Sequence, residues 1–365
     1  PAKLPILQAT YKVTPETFIV NEQMDIDFTG EGEHLWVLIK KTGMNTGFVA
    51  NLLADWAGIP ARDVGYSGLK DRQAVTTQWF SLRIPNRTLP DTPFHPALKD
   101  FESIEVVEQH WHNKKLNRGT HKFNQFILIL SEVQLDSLEA VEYRLQQIRD
   151  LGVPNYFGTQ RFGHYGNNIK EALRWFDTLL AATSNSGSLA RSNDKRNKNK
   201  RINKREREQQ SMWISAARSL IFNRILDTRV RNTTWDSGLA GDAFNLDGTG
   251  SIFCSNQIDD ELVQRLLLKD IHPTGLLWGI GEAQTSGAAA QLERQLVCED
   301  GLLSQLARGI EAQGVKSQRR SLRLVPKDMR WRWIDTQSLE LKFSLPSGSY
   351  ATGVLYSLVK RLELS

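Results

Sequence analysis

Two periodicities divide this chain. Runs that alternate apolar with polar residues, rich in Val, Ile, Thr and aromatics, crowd both ends, whereas a 3.6-residue repeat dominates the middle. Strands are expected at Thr17–Glu22 and His34–Lys41, linked by a Gly-Glu-Gly turn at 30–32, and at 77–84, 104–111 and 123–130. They return at 321–325, 329–334 and 338–345. A helix is expected from Thr46, as its cap, to about Ala57, with Phe48, Val49, Leu52, Leu53 and Trp56 on one face and Pro60 as its stop. Further helices are expected over Leu135–Leu151, Ile169–Leu180 and Met212–Val230, and near 259–268, 288–297 and 302–313. A last one starts at Ser349, its expected cap, after the Pro346-Ser347-Gly348 turn. A strand-rich start, a helical middle and a strand-rich end point to an α+β body carrying a mostly helical insertion.

The bulk composition is that of a soluble globular protein: 40% hydrophobic, 9% aromatic and 24% charged over 365 residues. That length suggests two domains at about 150 residues each. No run approaches the roughly 18 apolar residues of a membrane span, and no secretory leader pattern is present, so a cytoplasmic location is expected. Only Cys254 and Cys298 occur, which is no disulfide framework. The charge is concentrated. Between Arg191 and Glu208 nine Lys/Arg face Asp194, Glu206 and Glu208, a local +6 against +5 for the whole chain. Such a segment, almost devoid of apolar residues, is expected to be a mobile arm over 184–208. It reads either as a solvated linker or as a phosphate-attracting surface, with Lys195, Arg196, Lys198, Lys200, Arg201, Lys204 and Arg205 as backbone contacts.

Residues 65–82 carry the clearest chemistry. Asp71 lies between Lys70 and Arg72, just after a turn marked by Gly65 and Gly68, and a β-branched, aromatic run follows from Val75 to Ile84. An acid on a loop beside a rigid strand is well placed to react. Neighbouring cations favour its ionised form, which serves as a nucleophile or a base. The plain alternative is a surface loop with solvated charges.

Four stretches together resemble the TruD family of pseudouridine synthases, which isomerise uridine 13 of tRNA. They are Lys12-Val-Thr-Pro-Glu-Thr-Phe18-Ile-Val20-Asn-Glu22, Gly68-Leu-Lys70-Asp71-Arg72-Gln-Ala74-Val-Thr76, Val153-Pro-Asn155-Tyr156-Phe157-Gly158-Thr-Gln160-Arg161-Phe162-Gly163 and Leu345-Pro-Ser-Gly348-Ser349-Tyr350-Ala351-Thr352. Ser215-Ala-Ala-Arg218-Ser-Leu-Ile-Phe222-Asn223 is similar as well. The likeness follows the same order over essentially the whole chain. It implies a pseudouridine-synthase-like catalytic domain with a mixed or antiparallel sheet, made of 1–180 plus 335–365, and an insertion domain over 181–334. It also implies that Asp71 is the nucleophile and that Phe18, Asn155 and Tyr350 contact the target uridine. The sequence departs at Tyr350, where a relative carries phenylalanine. The extra hydroxyl keeps the ring but needs a polar partner if buried. The segment 191–208 is also longer than the family pattern.

The implied reaction explains these residue types. Pseudouridine formation breaks the N1–C1′ bond and makes C5–C1′, with nothing oxidised, hydrolysed or transferred, so no cofactor and no metal are expected. A carboxylate must attack C1′ or take a proton. The base must leave its stack at a cost of a few kcal/mol, and Phe18, Phe157 and Tyr350 can return part of that, since stacking contributes roughly 1–3 kcal/mol per base. Asn155 offers a donor and an acceptor for the imide edge of uracil. Either Lys12 or Lys70 can pair with Asp71, with Lys12 favoured because adjacent side chains diverge. Lys70, Arg72 and Arg161 are candidates for the RNA backbone, although Gln160-Arg161 reads more readily as a structural pair. Arg218 and Asn223 are candidates for docking the insertion. His110-Trp-His112 has metal-like spacing but no third ligand, and Trp331 and Trp333 read as packing. The expected partner is tRNA and the expected state a monomer. A non-catalytic RNA-binding protein or chaperone is the competing reading; a metal-dependent nuclease lacks its clustered ligands.

Overall fold

A computed structural model describes residues 4–186 and 203–364. The chain begins with β1 (Ile6–Tyr11), β2 (Phe18–Gln23), β3 (His34–Thr42), α1 (Thr46–Ala57), β4 (Val64–Tyr66), β5 (Val75–Arg83), β6 (Ser103–His112), β7 (Phe123–Leu135) and α2 (Leu138–Leu151). It then enters a second unit. That unit holds β8 (Val153–Pro154), α3 (Asn167–Ser186), α4 (Lys204–Arg231), β9 (Ala243–Leu246), β10 (Ile252–Cys254), α5 (Asp260–Leu267), β11 (Ile271–Leu277), α6 (Gly287–Glu299), α7 (Gly301–Ala312), β12 (Gln318–Ser321) and β13 (Arg323–Leu324). The chain returns to the first unit with β14 (Lys327–Asp335), β15 (Ser338–Pro346), α8 (Ala351–Leu355) and β16 (Val359–Leu364).

Packing divides the molecule after Gly152 and after Leu324, not at 180 and 334. The physical reason lies in the second unit's own core. Ala172 and Phe176 of α3 bury themselves with Ile221 and Ile225 of α4 and with Leu303, Leu306 and Ile310 of α7. β8 pairs with β13, Val153 opposite Leu324. The residues from 153 to 180 therefore belong with the helices they pack on.

The first unit is built on a mixed sheet, ordered β14-β15-β7-β2-β5-β3-β6 among the described residues, with β1 on β7 and β16 on β1. β2–β5 and β1–β16 run parallel and the other pairs antiparallel. β2 and β3 follow one another in sequence but do not pair; β5 lies between them. The pairing of β2 with β5, Val20 opposite Thr76, is the one that matters for the site, because the Asp71 loop feeds β5 from its start. α1 covers one face, setting Val49 and Leu53 against Leu35, Val37, Ile39, Phe80 and Leu82. Each such fully buried side chain contributes about 1.5–3 kcal/mol. The cap of α1 is Asn45, whose side chain accepts from Phe48 N, and Gly58 in the left-handed region ends it, ahead of Pro60. No described helix is long and apolar enough to cross a membrane.

Candidate active site

The loop before β5 is held from below. Gly65 has no room for a side chain: a Cβ there would lie 2.3 Å from Leu116 O and 2.6 Å from Ser81 Oγ. Ser67 is buried, accepts from His121 N at 2.9 Å and lies 2.6 Å from His121 Nδ1. Thr46, freed from capping, accepts from Lys70 N at 2.9 Å and donates to Gln78 at 2.8 Å. Gln78 in turn donates to Gly68 O at 3.2 Å.

Lys70 does not face the surface. It is buried with its ammonium 2.7 Å from Glu22 Oε2, a carboxylate that is itself fully enclosed. This corrects the expectation that Lys70 contacts an RNA backbone: the charge is already neutralised beneath the loop. His121 lies 3.9 Å from the same carboxylate, and burial, with help from the Lys70 charge, lowers its pKa to about 4. The imidazole is therefore neutral under ordinary conditions.

Asp71 emerges from this support with its side chain 42% exposed. Lys12 Nζ donates to Oδ2, and Gln73 N donates to Oδ1 at 3.1 Å. Burial by itself would raise the pKa of this carboxyl. The Lys12 hydrogen bond and charge, with the backbone N–H groups of Gln73 and Arg72, outweigh it and hold Asp71 below the usual carboxylate range. Lys12 is thus the partner, as favoured. It occupies φ +59°, an uncommon backbone region for a lysine, and its ammonium lies 4.3 Å from the centre of the Phe18 ring. Phe18 starts β2 and meets Tyr11 and Phe126 edge-on. One cation is therefore shared between the Asp71 carboxylate and an aromatic face.

One tyrosine, Tyr11, escaped the sequence reading. The Tyr11 hydroxyl is pushed up by burial and by the proximity of Tyr356 and Asp71, so it keeps its proton through the neutral range. The signal available was only that Tyr11 precedes Lys12. Tyr350 follows β15 at the start of α8 and occupies the cap position expected for Ser349, without a side-chain cap bond.

The remaining candidates lie in the second unit. Asn155 is buried; its Nδ2 donates to Ser321 O at 2.8 Å and its Oδ1 accepts from Arg320 at 2.7 Å. That amide keeps one further N–H and one further lone pair. Phe157 is buried against the edge of Phe222, with the Arg320 guanidinium 4.3 Å and the Arg161 guanidinium 5.3 Å from its centre. Asn223 clamps the Phe157 backbone at both N and O, 2.9 Å each. Arg161 donates to Ser215 of α4 at 3.0 Å. Arg218 donates to the carbonyls of Leu277, Trp278 and Lys316. Arg320, in none of these motifs, is a further residue the sequence concealed, since pairing of β12 into its sheet brings it to Asn155.

Of the surface candidates, Arg72 is exposed and donates to Gly43 O at 2.8 Å. Lys195, Arg196, Lys198, Lys200 and Arg201 lie outside the described residues. Lys204 and Arg205 open α4, so the expected arm ends in helix, with Arg205 exposed. His110 stacks on Phe28, ring centres 4.4 Å apart, and Trp331 and Trp333 both donate to Glu142.

Comparison with known proteins places these motifs in one family. The family model described as tRNA pseudouridine synthase D (TruD) matches residues 2–173 and 182–358. A tRNA pseudouridine synthase D of Psychrobacter arcticus is 51% identical, covering 100% of this chain and 94% of its own. One of Xanthomonas euvesicatoria is 43% identical, covering 97% and 92%. The crystal structure of a putative tRNA pseudouridine synthase D (TruD) from Methanosarcina mazei superimposes with a TM-score of 0.68 at 20% identity, over 98% of this chain and 95% of that one, and shares the fold. The chain belongs to the tRNA pseudouridine synthase D (TruD) family.

Proposed function

We propose that this protein converts uridine 13 in the D arm of tRNA to pseudouridine, with Asp71 as the reacting carboxylate and no cofactor. The observation that carries the reading is the Lys12–Asp71 pair, an ionised, half-exposed carboxylate beside an aromatic ring, on a loop held from beneath. The target nucleotide leaves its stack and is received by aromatic faces, among which we count Phe18 and Tyr350.

Asp71 then acts in one of two ways. As a nucleophile it bonds to C1′ while the N1–C1′ electron pair leaves on uracil. As a base it removes a ribose proton and that pair leaves by elimination. The freed uracil then turns and C5 bonds to C1′, the Asp71–C1′ bond breaking in the first route and Asp71 returning the proton to the ribose in the second, while the C5 proton passes to solvent and N1 takes one up. The isomerisation conserves every other atom and is redox-neutral, so acid–base and covalent chemistry suffice.

Release of tritium from tRNA labelled at uracil C5 tests the role of Asp71. Asp71→Asn is expected to bind tRNA and release none; turnover above a few per cent of wild type overturns the assignment. Mapping pseudouridine in cellular RNA with and without the protein tests the position. Deleting residues 191–202, which spares the Asn203 cap of α4, is expected to raise KM for tRNA several-fold and flatten its salt dependence while kcat holds.

A further inference from the structure

Beneath the Asp71 loop lies a charged group that the reaction, as proposed, does not use. Lys41, near the end of β3, is fully buried. Its ammonium donates to Met44 O at 2.7 Å and reaches Asp71 O at 3.5 Å. Among the described residues no carboxylate pairs with it, in contrast to Lys12 and Lys70. Its strand neighbours are Thr76 of β5 and Ile104 of β6, which bring no charge. An ammonium enclosed without a carboxylate costs free energy, and an apolar side chain of the same length would fill the place at less cost.

We propose that Lys41 is a positioning residue for Asp71: its buried ammonium ties the Asp71 carbonyl to the Met44 turn and so sets the carboxylate for its reaction with bound uridine. This rests on the reading of Asp71 as the reacting group. The second tie explains how a half-exposed loop residue holds one orientation, since Lys12 fixes only the carboxylate end.

The charge state supplies a signature. Burial lowers the Lys41 pKa to about 8; the Asp71 charge opposes that shift and the Lys70 charge adds to it. These are the charged groups that face it, and Lys70 is met by Glu22. As pH rises through about 8, Lys41 loses its proton and the tie weakens. The unfolded lysine keeps its proton to about 10.4, so across that window the unfolded chain binds more protons and this group's contribution to stability rises with pH. Activity and stability therefore move in opposite directions. A lysine with a merely structural role would show the same rise in stability and leave activity flat across that window.

The test compares wild type, Lys41→Met, Lys41→Gln and Asp71→Asn in single-turnover pseudouridine formation from pH 6 to 9.5, alongside tRNA binding and thermal unfolding. Gln keeps a donor for Met44 without the charge. Expected are an alkaline fall near pH 8 in wild type, its absence in both Lys41 variants, and rates lowered at least ~10-fold at pH 7, about 1.4 kcal/mol by the tenfold conversion. Their tRNA affinity should be unchanged and their Tm within about 3 °C of wild type. Wild-type rates or a retained alkaline limb in both variants overturn the inference, as does a rate loss matched by a large fall in Tm in both. With Asp71→Asn inactive, those results leave the reading of Asp71 standing; an active Asp71→Asn removes the reading and the inference together.

Discussion

Two lysine–carboxylate pairs are set side by side in this loop, and they do different work. Lys70 and Glu22 are enclosed, 2.7 Å apart, with Glu22 Oε1 also accepting from Trp79 N. Lys12 and Asp71 join the neighbouring residue to solvent, the carboxylate 42% exposed. The first pair has no room for a substrate and anchors the loop to β2. In the second, the Lys12 ammonium is on Oδ2, and Oδ1 accepts from the backbone N–H of Gln73. Adjacent residues of opposite charge thus separate, Lys70 enclosed beneath the loop and Asp71 half-exposed.

The widest expected separation is in activity. Asp71→Asn should lose at least ~10⁴-fold in rate, over 5 kcal/mol, and change Tm little, since the exposed pair contributes at most about 1 kcal/mol to folding. A large drop in Tm would erase the distinction between the pairs. Glu22→Leu should do the reverse at the level of the fold. Removing one partner of a buried pair costs about 3–5 kcal/mol, readable in denaturant unfolding, and replacing Lys70 by Met as well should recover much of it. If the double variant is no more stable than Glu22→Leu alone, the pair is not the unit we describe.

The buried side of the comparison also has a pH signature. His121 is neutral in the fold, with a pKa lowered to about 4, while the unfolded imidazole titrates near 6.5. Between those values the unfolded chain binds more protons, so stability falls as pH drops from 6.5 toward 4, by on the order of 3 kcal/mol. His121→Gln should flatten that limb in urea titrations; an unchanged slope would place the acid sensitivity elsewhere. The smallest effect concerns Lys12. Lys12→Gly relieves a left-handed backbone worth about 1 kcal/mol yet removes the cation beside Asp71. Rates should fall ~10-fold or more while Tm rises slightly, and a variant as active as wild type would make Lys12 dispensable.

The expectations that held and those that moved differ in range along the chain. α1 was legible as a helix because Val49 and Leu53 repeat on one face, but its cap is Asn45, and Thr46 instead serves Lys70 and Gln78, residues 24 and 32 positions away. β16 was missed altogether: Val359–Leu364 pairs in parallel with β1 from the opposite end of the chain. The boundaries fall at 152 and 324 rather than 180 and 334 because α3 packs with α4 and α7, and β14 pairs with β15.

By itself the sequence determined which residues recur in the family's motifs and where periodicity demands strand or helix, because both are properties of neighbours along the chain. Only the tertiary structure decided that Lys12 rather than Lys70 meets Asp71, that Lys70 is enclosed with Glu22, and that Lys41 lies charged beneath them. Burial and ion pairing depend on which distant segments fold over a side chain, and local spacing carries no record of that.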